Sequence, residues 1–177
     1  MKTNPALFSA NELLNAYSNK TMSPVEATKA ILDHIKNYDK KLNSFRLVDE
    51  EKALESARAS EERWSMGTPA GLVDGVPTTI KDLVATKGWS TRRGSLTTND
   101  KGPWKEDAPL VARLRSNGAV LLGKTTTPEF GWKGVTDSPL TGITRNPWDL
   151  TKTPGGSSGG AAAAAAACFG ALHHGSD

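Results

Sequence analysis

Apolar residues recur at helical spacing through the first seventy positions, then gather into short uninterrupted runs. Ser9 stands ahead of Leu13, Leu14 and Tyr17, which predicts a capped helix. Ser23-Pro24 is a second start signal, a capping hydroxyl followed by a proline where its missing N–H costs nothing. Glu26, three residues after Ser23, completes a capping box. Val25, Thr28, Ile31, Leu32, Ile35 and Tyr38 then mark one helical face. A third helix is predicted from Asp49 to Ser65, with Ala53, Leu54, Ala57 and Trp64 inward, ending at Gly67-Thr68-Pro69. Residues 1–70 therefore read as a helical segment.

From residue 70 glycines become frequent. "GVPTTIKD" reads as a short strand ending at a charged pair, Lys81-Asp82. Asp107-Ala108-Pro109 starts a helix with Leu110, Val111 and Leu114 on one face, stopped by Gly118. "AVLLGK" is an apolar strand of the kind buried on both faces of a sheet. Helix followed by buried strand predicts α/β layering. Residues 131–156, rich in proline and glycine, read as extended loop, and Ala161–Cys168 as a helix of small residues. No internal repeat is present.

Composition narrows the function classes. A chain of 177 residues is long enough for one domain with a sizeable core. Lys and Arg number 22 against 19 Asp and Glu, and the two signs are interspersed. That pattern carries no electrostatic footprint for nucleic acid or an anionic membrane. The one cysteine, Cys168, excludes an internal disulfide and a cysteine-based zinc site, and fits a reducing compartment. The opening "MKTNPALFSANELL" has no apolar signal-peptide core, and no apolar run approaches a membrane span. A cytoplasmic protein without metal or cofactor is the expectation.

The candidate chemistry centres on "TPGGSSGGAAAAAAACFGALHHGSD". Its composition suits a flexible linker. A phosphate loop of the Walker type would need a lysine after the glycines, and none is there. An anion nest at the start of the alanine helix stays open. "GGSSG" also fits the G-x-S-x-G nucleophile elbow, but "NPWDLTKTP" is not the strand that elbow requires. His173 and His174 read as surface or core-edge residues. Lys81, at the end of a buried-looking strand, reads locally as a solvated charge. Held in a dry site it would be a base, since desolvation disfavours the ammonium, and a neutral lysine activates a serine without any histidine.

Taken together, "GVPTTIKDLVATKGWSTRRGS", "APLVARLRSNGAVLLGKTTTPEF", "GITRNPWDLTKTPGGSSGG" and the closing "GSD" resemble the amidase signature family, from about Gly71 to Asp177. The resemblance implies N-terminal helices (1–70) followed by the first part (71–177) of a mixed β-sheet flanked by helices, one truncated domain overall. It implies a Ser-cisSer-Lys triad that cleaves carboxamides without a cofactor. Lys81 is then the base, and Ser157 the bridging serine behind a cis Gly156-Ser157 bond. Ser158 takes a supporting hydrogen-bond role. Asp82 either fixes the local backbone or is an exposed cap.

The family pattern continues G-S-D-x-G-G-S, whose last serine is the nucleophile behind the oxyanion hole. The match closes at Asp177, so the nucleophile is expected outside these residues and the 177 residues alone are expected to be inactive. The leading expectation is an amidase acting on a small amide, with a homo-oligomer or the missing C-terminal part of the same domain as its partner. A glutaminase subunit of a tRNA-dependent amidotransferase is the alternative within the family, although "TPEFGWKGVTDSPLTG" looks more like the stand-alone amidases. A non-catalytic truncated product or interaction module is the alternative outside it.

Overall fold

The computed structural model describes residues 4–176; Asp177, the last residue of the "GSD" motif, lies outside them. Three helices open the chain: α1 (Ala10–Ser18), α2 (Pro24–Leu42) and α3 (Glu50–Ser65). The capping boxes of Ser9 with Glu12 and of Ser23 with Glu26 are both formed, and the Asp49 side chain caps α3 through the Lys52 amide. Each start is dictated locally, by a short polar side chain meeting an amide that has no helical partner.

The sheet contains β1 (Phe45–Val48), β2 (Pro77–Lys81), β3 (Val120–Thr125) and β6 (Leu172–His173), in the order β1-β3-β2-β6. β1 runs antiparallel to β3, while β2 is parallel to both β3 and β6, so the sheet is mixed. A separate hairpin pairs β4 (Asp137–Ser138) with β5 (Gly142–Ile143) inside the 131–156 loop. α4 (Pro109–Ser116) precedes β3, and α5 (Gly159–Ala166) precedes β6.

The reading of residues 1–70 as helical is corrected at β1. Those four residues include Arg46, and their pairing comes from β3 far along the chain. Tyr38 and Leu110, both expected inward, are 53% and 37% exposed.

Side chains alternate across a strand, and the two faces of the sheet carry different layers. Val120 and Leu122 pack with α2, α3 and Phe169 on one face, and Leu121 and Ile80 with Val111 and Trp89 on the other. The same alternation sends Lys81 and Asp82 to opposite faces at the end of β2. The β2–β3 register shifts between Thr78↔Leu121 and Thr79↔Gly123. That extra residue turns Lys124 toward the face of Asp82. Among the described residues, no helix is long and apolar enough to cross a membrane.

Candidate active site

Lys81 ends β2 fully buried. Its Nζ donates to Ser157 Oγ at 2.7 Å and to Ser158 Oγ at 2.8 Å. It also reaches Ser176, at 3.1 Å from the carbonyl oxygen and 3.3 Å from Oγ. Three segments far apart in sequence thus converge: the end of β2, the Gly-Ser loop before α5, and the segment after β6. Parallel pairing of β2 with β6 brings the last of these in, with the His174 amide bonded to Thr79 O at 3.0 Å.

The Gly-Ser loop comes close because α5 starts with glycines. A Cβ at Gly160 would collide with the Thr126 backbone nitrogen, at a separation no side chain tolerates. The Gly156–Ser157 peptide is cis. Thr127 Oγ1 donates to Ser157 O at 3.1 Å, tying the loop to the segment after β3. Gly156 is exposed, and Ser157 and Ser158 are partly so.

The two serines differ in their hydrogen bonding. Ser158 Oγ donates to Ser176 O at 3.0 Å and accepts from the Ser176 amide at 3.0 Å, besides accepting from Lys81. One proton and two lone pairs are then all engaged. The Ser157 hydroxyl, among the described residues, meets only Lys81. No role for Ser176 is legible in the sequence. Nothing in "GSD" alone shows that it folds back onto a lysine 95 positions earlier.

Asp82 is 1% exposed, which excludes the exposed-cap reading. Arg46 Nε lies 2.9 Å from Asp82 Oδ2, and Arg46 Nη2 donates to Oδ1 at 3.1 Å. Lys124 Nζ stands 3.8 Å from the same carboxylate and donates to Val84 O, to Thr86 Oγ1 at 3.1 Å and to Thr91 Oγ1 at 3.2 Å. Backbone bonds hold the strand end as well, from Asp82 N to Thr125 O and from Arg93 N to Asp82 O. Burial pushes the Lys124 amine down to about 8, with Asp82 opposing in part. Burial likewise pushes the Asp82 carboxyl up, against Arg46 and Lys124.

Sequence reasoning missed Arg46 and Lys124. A lysine at a strand end normally reads as solvated, and no local signal marks this one. His173 is half-buried, with Nδ1 2.9 Å from Thr79 Oγ1, and burial lowers its pKa. Burial also lowers that of His174, helped by the charges of Lys81 and Lys124.

A lysine within bonding reach of a serine hydroxyl, with no histidine between them, is the framework of Ser-Lys hydrolases. Residues 26–177 match the model of the Amidase family, and the chain belongs to that family. It is 43% identical over 150 residues to the A subunit of the glutamyl-tRNA(Gln) amidotransferase of Salinispora tropica, covering 85% of this chain and 30% of that protein. It is 39% identical over 170 residues to indoleacetamide hydrolase of Bradyrhizobium diazoefficiens, covering 96% of this chain and 32% of that one. Among solved structures, a bacterial aryl acylamidase of the amidase signature family superposes with a TM-score of 0.87 at 34% identity, covering 92% of this chain and 34% of the other. The chain spans about a third of the length of these relatives.

Proposed function

We propose that residues 1–177 supply the base and the proton relay of an amidase that cleaves the carbon–nitrogen bond of a small carboxamide. The observation that carries this reading is the 2.7 Å contact between Lys81 Nζ and Ser157 Oγ in a buried strand end. Ser158 has its hydroxyl engaged by Ser176, which supports Ser157 as the relay.

In the reaction, the serine that closes the family's G-S-D-x-G-G-S pattern attacks the amide carbonyl carbon. Its proton passes to Ser157 Oγ as the Ser157 proton passes to a neutral Lys81. The tetrahedral intermediate collapses, the C–N bond breaks, and the Lys81 proton returns through Ser157 to the leaving nitrogen. Water then cleaves the acyl ester by the same relay in reverse roles. The reacting serine belongs to the part of the relatives that these residues do not span. The single cysteine of these residues supports a reducing, cytoplasmic setting.

The test is to treat the protein, as its native source makes it, with a fluorophosphonate and map the labelled residue by mass spectrometry. Label is expected on the serine of the G-S-D-x-G-G-S segment, and neither on Ser157 nor on Ser158. Label on either of those two would overturn the roles assigned.

A second reading within the family is favoured by the 43% identity to the amidotransferase protein. There the same relay would release ammonia from glutamine for use by a partner protein. Genes for such partners beside this one distinguish the two readings.

A further inference from the structure

The Gly155–Gly159 stretch carries both serines, and its ends are spanned by one side chain. Thr136, 2% exposed, stands just before β4. Its Oγ1 donates to Gly155 O at 2.8 Å and accepts from Gly159 N at 3.1 Å. The bonds run in opposite directions, so a single hydroxyl fixes the distance between the loop's entry and exit. Gly159 opens α5, where an amide has no helical carbonyl to meet, and Thr136 takes that place.

The approach is close. A Cβ at Gly159 would collide with Thr136 Oγ1. Thr136 is itself held, because the Thr144 amide donates to its carbonyl at 3.0 Å across the small hairpin.

We infer that Thr136 is a positioning residue, held by the β4–β5 hairpin, whose hydroxyl sets the span of the Gly-Ser loop and so places Ser157 and Ser158 against Lys81. Thr127 adds one hold in the middle of the loop, on Ser157 O; Thr136 is the side chain that joins its two ends. The consequence for turnover rests on the amidase reading, whereas the placement of the loop does not.

Two substitutions separate the hydroxyl from the shape. Thr136→Val keeps the shape and loses both bonds, while Thr136→Ser keeps both bonds and loses the methyl. Amide exchange at Gly159 and the ε-methylene resonances of Lys81 are followed by NMR in lysine-labelled protein, with the amides of α2 as the internal reference for folding. In Thr136→Val, Gly159 is expected to exchange about tenfold faster and the Lys81 resonances to move, with α2 unchanged. Thr136→Ser is expected to restore both.

Unchanged Gly159 and Lys81 signals in the valine variant overturn the inference, as does a serine variant that behaves like valine. Should the valine variant fail to fold, the serine variant decides alone, since its Gly159 exchange must match that of the unaltered protein. In protein from the native source, Thr136→Val should lower kcat for amide cleavage while KM stays put, and serine should restore it. Absence of amide cleavage in the unaltered protein would remove the amidase reading and leave the exchange result to stand or fall by itself.

Discussion

Ser158 Oγ and the Ser176 backbone form a reciprocal pair, with Oγ donating to the carbonyl and accepting from the amide, each at 3.0 Å. The pair fastens the segment after β6 to the Gly-Ser loop directly over Lys81. It also separates two adjacent serines that look equivalent in sequence, one tied into the framework and one bonded, among the described residues, to the lysine.

Ser158→Ala should therefore free the Ser176 amide, which then exchanges faster, at a cost of about 1 kcal/mol or less per bond at this partly exposed place. Ser157→Ala should leave Ser176 protected. Hydrogen exchange on the two variants checks the assignment, and the opposite pattern would reverse the roles.

Lys124 makes a prediction about pH. Its amine is pushed down to about 8 by burial, whereas an unfolded lysine titrates near 10.4. Between these values the unfolded chain holds more protons, so the contribution of Lys124 to stability rises with pH. Urea unfolding at pH 7.5 and 9.5 should show the unaltered protein gaining about 2 kcal/mol relative to Lys124→Met. Tyr17, whose phenol burial pushes up, acts in the opposite sense only above pH ~10 and cancels in the comparison. Parallel pH profiles for the two proteins would contradict the burial of a titrating lysine.

The Arg63–Asp74 pair joins α3 to the segment before β2. Arg63 Nε and Nη2 donate to the two Asp74 oxygens at 2.8 and 2.6 Å, and the Ala70 amide adds a third bond. Burial raises the Asp74 carboxyl, but these partners outweigh it and leave it below its ordinary value. A depressed carboxyl contributes stability above its unfolded pKa, lost as pH falls through the folded one. Arg63→Ala leaves a buried carboxylate uncompensated, and should cost about 2–4 kcal/mol at neutral pH, less than a fully buried pair because Arg63 is partly exposed. The deficit should shrink below about pH 4. A constant deficit across that range would assign the loss to packing instead.

Gly160→Ala tests the close approach of α5 to the segment after β3. The added methyl would meet Thr126 backbone, which cannot rotate away. A loss of about 3 kcal/mol or more is expected in thermal or urea unfolding, although alanine is the better helix former. A neutral or stabilising result would mean that the contact relaxes freely.

The elements legible in the sequence were those specified by neighbours a few residues away. Ser9, Ser23 and Asp49 each cap a helix within their own turn, and the apolar run of β3 announces a strand buried on both faces. β1 and β6 were not legible, because four and two residues carry no period and exist through pairing with β3 and β2. The site divides the same way. Lys81, Ser157 and Ser158 were reached through a resemblance spread over a hundred residues, and the structure brings them together. Lys124 and Arg46 were not reached, since burial of a cation depends on the register shift in β3 and on the Asp82 carboxylate just after β2. Thr136 was hidden for a related reason: its hydroxyl matters only where a hairpin meets the loop.

In the proposed reaction, Lys81 acts through Ser157 on an amide. The most direct test is ammonia release from a panel of simple carboxamides by the protein as its native source makes it, beside Lys81→Ala and Ser157→Ala. Both variants are expected to lose at least about a thousandfold in kcat while keeping the fold. Ammonia release that survives Lys81→Ala at the unaltered rate would contradict that role for Lys81.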